Sequence, residues 1–434
     1  MEYLVPIEWG KCTKLQRQTL LTRPKTTSSM NVEQTVFNIL NEVKIHGDKA
    51  LYDLNIKLDK ISLTDLHVTS QQISASSMMI GNKLKKAMKN AFDNITTFHQ
   101  AQILNLVDLE TQTGVRCQQI TRPIKSVGLY IPSGSAALFS TVFMLAIPAR
   151  IAGCKNIVIC SPPPISNEIL YAANLCKITE IYQVGGSQAI AALGFGTKTI
   201  PRVDKIFGPG NVYVTEAKKQ ISQRLEGIEI DMPAGPSELL IIADNNANPE
   251  FIAADLLSQS EHGPDSQVIL LTTSLKLATK VATTIKKQLI NLKRKNIIIQ
   301  SLNNSLIIVL KDLQECIELS NMYGPEHLMI QTSTPRNILK LVNNAGSIFL
   351  GPWSPESAGD YASGTNHVLP TSGYTKTLSG LSIIDFQKII TVQEITAQGL
   401  MNLSSTIETL AAAEKLDAHR KAVSLRVAVL KEKV

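Results

Sequence analysis

From Ser126 onward the chain alternates short apolar runs with longer helical stretches, and that alternation restricts the folds open to it. The strand candidates are Val127–Ile131, Asn156–Cys160, Ile181–Val184, Lys205–Phe207, Leu239–Ala243, Val268–Thr272, Ile297–Ile299, Leu306–Val309, Leu328–Ile330 and Ser347–Leu350. Helical stretches lie between most of them, which predicts an α/β protein with mostly parallel sheets. The pattern divides into one α/β unit over residues 126–235 and a second over 236–380, with Pro233 to Pro236 as the crossing point. Upstream, Val32, Val36, Ile39, Leu40 and Val43 recur at helical spacing after Asn31, a candidate N-cap, and Leu84, Met88, Ala91, Phe92 and Ile95 do the same. Residues 1–125 are therefore expected to be a helical N-terminal part that packs with the second α/β unit. Residues 381–434 are expected to be a helical C-terminal tail, too small to fold alone.

At 434 residues the chain is long enough for substantial cores, and 44% hydrophobic content with a mean hydropathy of +0.06 is that of a soluble globular protein. No apolar run reaches the ~18 residues of a membrane helix. The N-terminus has no basic region followed by an apolar core, so a cytoplasmic location without membrane association is expected. The net charge is +7, but the lysines are scattered. The densest cluster, Lys286-Lys287 to Lys293-Arg294-Lys295, lies on an amphipathic segment and reads as a solvated face. With only 5% aromatic residues, nucleic-acid binding is not indicated.

Of seven histidines, four sit in strings rich in carboxylates and amides. These are Gln259-Ser260-Glu261-His262-Gly263, Gly324-Pro325-Glu326-His327-Leu328, Gly359-Asp360-Tyr361 with Gly364-Thr365-Asn366-His367, and Asp417-Ala418-His419-Arg420. Imidazole, carboxylate and amide oxygen together form a zinc-type ligand set. The adjacent Glu326 and His327 offer two groups able to move protons near neutral pH. Asn248 and Pro249 open a helix that Gly263-Pro264 closes, and a spacing of three puts Gln259 and His262 on one face. Taken alone, each string is also what an ordinary helix end or surface turn looks like, and Ser237 alone reads as an N-cap. His46, His67 and His99 lie on polar stretches and are expected to be solvated. There is no G-x-G-x-x-G fingerprint. Three turns, Ile131 to Ser135, Val184 to Ser187 and Phe207 to Asn211, each set glycines and a small polar residue at a helix start, where free N–H groups favour phosphate.

At these residues the chain resembles the histidinol dehydrogenase family. The resemblance extends to Tyr130-Ile131-Pro132, Gly185-Gly186-Ser187-Gln188-Ala189, Phe207-Gly208-Pro209-Gly210-Asn211 and Asp231-Met232-Pro233-Ala234-Gly235-Pro236-Ser237-Glu238, and runs in family order to Arg420. One departure is Ser133-Gly134-Ser135, where the family usually shows Gly-Gly-Ser; the helix start at Ser135 is kept. The resemblance implies two Rossmann-like α/β/α units of the incomplete, aldehyde-dehydrogenase-like kind, the first binding NAD and the second zinc and substrate. It implies oxidation of L-histidinol to L-histidine through a bound aldehyde, with NAD contacts at Tyr130, Gln188 and Asn211. It further implies one Zn²⁺ per subunit on Gln259, His262, Asp360 and His419, the last from the partner subunit of a homodimer with a composite active site. Glu326 and His327 would transfer protons, and Ser237, His367 and Glu414 would complete the substrate shell beside the zinc ligands and His327.

Glu414 and His419 are five apart, which on one regular helix points them well apart. A break between them is expected if both reach one site. Aldehyde oxidation through a cysteine thioester is a competing chemistry. However, none of Cys12, Cys117, Cys154, Cys160, Cys176 and Cys316 lies beside a His or in a Gly-rich helix-opening turn, so they read as reduced, structural thiols. Two other functions compete: a zinc hydrolase with Glu326 as general base, and a non-catalytic metal-binding protein.

Overall fold

The strands β1 (Pro6–Glu8), β2 (Asp108–Gln112), β3 (Val115–Pro123), β4 (Ser126–Tyr130), β5 (Asn156–Ser161), β6 (Glu180–Gln183), β7 (Lys205–Phe207) and β8 (Glu229–Ile230) cover the first half of the chain. β9 (Glu238–Ala243), β10 (Gln267–Thr272), β11 (Leu306–Val309), β12 (His327–Gln331), β13 (Ser347–Leu350) and β14 (Gln387–Ile395) cover the second. The computed structural model describes residues 4–24, 30–104, 106–133, 138–224, 228–233 and 235–432. They fall into two compact units, residues 1–102 with 124–385, and residues 103–123 with 386–434. No described helix is long and apolar enough to cross a membrane.

The first unit holds two parallel sheets, in the order β6-β5-β4-β7-β8 and β1-β11-β10-β9-β12-β13. Both are wound the same way: the chain steps outward over three strands, returns to the middle, and continues on the other side. Successive side chains on a strand point to opposite faces, so a strand covered on both sides reads as an unbroken apolar run. β9 illustrates this. Leu239, Ile241 and Ala243 join the core under the helices Pro249–Ser260 and Leu275–Leu289. Leu240 and Ile242 join the opposite core, under the helix Leu313–Tyr323.

Several expectations change here. The short helix Lys14–Leu20 packs with the second sheet as expected, through Leu20 and Leu21, but the helices Met30–His46 and Asp48–Leu54 do not. Val32, Val36, Leu40 and Val43 of the helix Met30–His46 bury into the core of the first sheet, with Tyr130, Val158 and Ile206. The small residues Ala189, Ala192 and Ala217 in that core admit a helix at close range. β1 also joins the second sheet, beside β11. Asn31 lies inside its helix rather than at the cap. Ile297–Ile299 is not a strand. It belongs to the helix Lys295–Leu302, with Ile298 and Leu302 four apart on the buried face.

The second unit draws on two regions expected to be helical, the end of residues 1–125 and the 381–434 tail. It instead contains an antiparallel sheet in the order β14-β3-β2, followed by the helices Ala397–Ala413 and Asp417–Glu432. β2 and β3 replace helix near the end of the 1–125 region, and β14 does so at the start of the 381–434 tail. β2 is exposed throughout and β14 almost so, which leaves little apolar pattern to read. The usable signal was Thr113-Gly114 between two strand-like runs. Gly114 has φ +81°, and a Cβ there would strike Thr396.

Candidate active site

The helix Leu313–Tyr323 ends at Gly324, whose N–H donates to the Ser320 carbonyl at 2.8 Å and whose φ of +64° turns the chain out of the helix. The chain then turns into β12, which pairs with β9 so that His327 lies opposite Leu239. Glu326 and His327 are thereby buried together at the amino end of the strand. A single residue holds both: the Glu238 N–H donates to Glu326 Oε2 at 2.8 Å, and His327 Nδ1 lies 3.1 Å from the Glu238 carbonyl. A carbonyl can only accept, so Nδ1 carries a proton, and in the neutral ring Nε2 is the bare nitrogen. Burial raises the Glu326 pKa, partly opposed by His327. Burial would lower that of His327, but the Glu326, Glu356 and Asp360 carboxylates outweigh it and hold the pKa above the ordinary value.

Asp360 comes from the short helix Glu356–Tyr361. Its Oδ2 lies 3.6 Å from His262 Nε2, and its Oδ1 lies 4.0 Å from His327 Nε2. His262 is at the mouth of the cavity, with its side chain 42% exposed; protein nonetheless crowds it closely enough that desolvation lowers its pKa against the pull of Asp360. His367 donates from Nδ1 to the Asp360 carbonyl at 2.8 Å, and its Nε2 lies 3.4 Å from the Thr141 hydroxyl. Behind it, Asn366 donates to the Met144 carbonyl at 2.7 Å and to His99 Nε2 at 3.2 Å. His99 was expected to be solvated. It is buried instead, and burial lowers its pKa. His46 is exposed, and His67 is half-buried against Tyr182.

Gln259 closes the group from the last turn of Pro249–Ser260, whose N-cap is Asn248 as expected. It is fully buried, and neither its amide oxygen nor its amide nitrogen has a partner. Glu356 is the carboxylate that sequence reasoning missed. It stands four residues before Asp360, a spacing that shares a helix face and could have revealed it. Its Oε2 accepts the Ser258 hydroxyl at 3.2 Å, and its buried Oε1, without a hydrogen-bond partner, lies 3.9 Å from His327 Nε2. Burial, with Asp360 beside it, pushes its pKa up to about 8. Ligand atoms of His262, Glu356 and Asp360 all lie within 4.8 Å of one another. An unsatisfied buried amide next to an imidazole and two carboxylates fits a divalent cation with nitrogen and oxygen ligands.

Gln259, His262, Glu326, His327, Asp360 and His367 line a cavity of about 380 Å³, with Ser237, Thr141 and Asn211 also on its wall. It lies outside the carboxyl ends of β4, β7 and β8 and the amino ends of β9 and β12. In the first sheet the winding direction reverses between β4 and β7, and ligands of open α/β sheets bind at such a point. Asn211 caps the helix Val212–Arg224, its side-chain oxygen accepting from Tyr213 and Val214 N–H at 3.1 Å each. Tyr130 and Gln188 are buried and do not line the cavity. Tyr130 Oη accepts from Gly186 N–H at 3.1 Å, while the buried Gln188 Oε1 has no partner, an acceptor suited to a ligand donor. Gly208, at φ +124°, runs so close to the Tyr130 carbonyl that a Cβ would collide with it. The helix start at Ser135 lies outside the described residues; Ser133 before it has no left-handed φ.

Ser237 precedes β9 and caps no helix. Glu414 and His419 belong to the second unit. The expected break between them is present: one helix stops at Ala413, with Glu414 as its C-cap, and the next starts at Asp417. No cysteine lines the cavity. Burial pushes Cys154, Cys176 and Cys316 up to about 12, which removes the thiolate that a thioester route needs.

The sequence model of the family described as "Histidinol dehydrogenase" matches residues 21–427. The chain is similar over the full length of both sequences to the histidinol dehydrogenase of Escherichia coli, at 60% identity, and to that of Salmonella typhimurium, at 59%. It is also similar to the crystal structure of histidinol dehydrogenase from Elizabethkingia anophelis, at 47% identity and a TM-score of 0.95, covering 99% of each chain.

Proposed function

The chain belongs to the histidinol dehydrogenase family, and from that premise we propose that it oxidises L-histidinol to L-histidine in two steps through a retained aldehyde. The observation that carries the reading is the Glu326–His327 pair, hung on the backbone of Glu238 and facing Gln259, His262 and Asp360 across one cavity. NAD, when bound, supplies the acceptor for the hydride lost at each oxidation. Zinc, when bound, supplies a fixed positive charge for the substrate's imidazole and amine.

His327 takes the substrate hydroxyl proton at Nε2, because Nδ1 is committed to the Glu238 carbonyl. Glu326 takes a proton from the water that adds to the aldehyde, its Oε2 being held by Glu238 N–H. His327, once it has released its first proton to solvent, takes the hydroxyl proton of the hydrate at Nε2 as the acid forms. Gln259, His262 and Asp360 hold the metal, with Glu356 close by, and His419 of the partner subunit completes the set. Ser237 and His367 line the substrate pocket, and the Glu414 carboxylate suits the substrate's amine. Tyr130, Gln188 and Asn211 contact NAD in the 126–235 unit, the 236–380 unit holds zinc and substrate, and the tail reaches across a homodimer. The protein is cytoplasmic.

Glu326→Gln tests the division of labour. The amide keeps the shape but cannot take a proton, so aldehyde-to-acid oxidation slows by roughly 10²–10⁴-fold while alcohol-to-aldehyde oxidation suffers much less. Single-turnover assays started from histidinol and from histidinaldehyde read the two steps separately. Equal loss in both would remove this role from Glu326. A hydrolase or a non-catalytic metal-binding protein would form no reduced nicotinamide from histidinol and NAD⁺ at all.

A further inference from the structure

Arg23 sits far from Glu326 in sequence, yet it grips the turn that carries the pair. Its Nε donates to Glu238 Oε1 at 2.5 Å and its Nη2 to Glu238 Oε2 at 3.1 Å, the two-pronged geometry only a guanidinium makes. The same Nη2 reaches the carbonyls of Tyr323 at 2.8 Å and Gly324 at 3.2 Å, and the guanidinium lies over the Tyr323 ring at 3.9 Å. Those carbonyls belong to the last turn of the helix that delivers Glu326, and at a helix end they have no intrahelical donor. Glu238 is buried, and its Oε1 also accepts Ser372 N–H at 3.0 Å. Its backbone, in turn, holds Glu326 through the N–H and His327 through the carbonyl. Arg23 therefore fixes both ends of one short frame: the peptide on which the two side chains hang and the turn from which they emerge. An ion pair serving stability alone has no need of the two carbonyls.

We propose that Arg23 is a positioning residue for the Glu326–His327 pair, acting through the Glu238 carboxylate and the carbonyls of Tyr323 and Gly324. The proposal rests on the reading that Glu326 and His327 move the protons. Removing Arg23 alone would strand a buried carboxylate and endanger the fold. The main variant is therefore the double Arg23→Gln with Glu238→Gln, which removes both charges and leaves the Glu238 backbone contacts possible. Arg23→Lys is the second variant: it keeps the charge and loses the fork.

The measurements use the zinc-loaded enzyme with histidinol and NAD⁺: melting temperature, kcat and KM, the pH profile of kcat, and single turnovers from histidinol and histidinaldehyde. The double variant is expected to melt close to wild type and keep KM within about threefold, while kcat falls roughly 10–100-fold, the scale of a misplaced catalytic group. Both half-reactions slow, and the limbs of the pH profile move because the spacing of the pair has changed. Arg23→Lys lies in between. If the double variant does not fold, Arg23→Lys decides, with lowered kcat and a moved pH profile expected. Wild-type kcat and pH profile in a folded variant overturn the proposal, as does a kcat that falls only with the folded fraction. Glu326→Gln is run alongside. If it slows neither half-reaction, the reading of the pair fails; if it acts as expected while the Arg23 variants do not, only the positioning role falls.

Discussion

Gln259 is closed off from solvent, yet neither atom of its amide is hydrogen-bonded within the protein. A buried polar group left so costs on the order of 1–3 kcal/mol. The oxygen's share of that cost is explained if the amide oxygen ligates a cation that His262 and Asp360 also bind. Asp360→Ala or His262→Asn is then expected to release the metal with little loss of fold, since neither side chain belongs to a hydrophobic core. Metal analysis of the purified variants checks this, and stoichiometric zinc in both would remove the ligand assignment. The same residues mark how far the sequence could be read. His262 and His327 were legible because histidines are scarce, seven in the chain, and Asp360 because it stood in a short string shortly before another of them, His367. Glu356 was not, because an acidic residue in the first turn of a helix is the ordinary complement to the helix dipole. Arg23 was not, because its partner Glu238 lies 215 residues away and nothing local ties the two.

Between elements, the counterpart of that contact is Lys218 with Asp231. The lysine reaches out of the helix Val212–Arg224 and donates to Asp231 Oδ1, to the Gly208 carbonyl at 3.0 Å and to the Met232 carbonyl at 3.2 Å. Asp231 Oδ2 accepts Gly208 N–H at 2.8 Å. One buried ion pair thus ties the turn after β7 to the segment leaving β8, on the wall of the cavity. Breaking one side of a buried pair leaves an uncompensated charge and costs about 3–5 kcal/mol. Lys218→Met is expected to lose stability on that scale, and adding Asp231→Asn to recover part of it. Denaturant unfolding of the single and double variants measures both, and a Lys218→Met protein as stable as wild type would refute the clamp. Parallel strands such as β9 were easy to read because burial on both faces leaves an apolar run. The exposed antiparallel strands gave no such contrast, and Ile297–Ile299 misled because three β-branched residues look alike in a strand and on the buried side of a helix.

At the scale of the molecule the question is which chain supplies His419. It is exposed on the helix Asp417–Glu432, and its unit also exposes Ile389, Ile390, Leu410, Leu425 and Val429. Apolar residues left open on so small a unit suit burial against a second copy. A two-fold dimer with exchanged tails would have two equivalent sites, each with Gln259, His262 and Asp360 from one chain and His419 from the other. Two inactive proteins, His262→Asn and His419→Asn, can then be mixed under conditions that reshuffle subunits. Half of the dimers are mixed; in each, one site collects both lesions and the other collects none. Activity is expected to return to roughly a quarter of wild type, by the arithmetic of a two-fold assembly. If each site is built from a single chain, every site keeps one lesion and no activity returns. With subunit exchange verified by differently tagged chains, that null result would place His419 in its own chain's site or remove it from the site altogether.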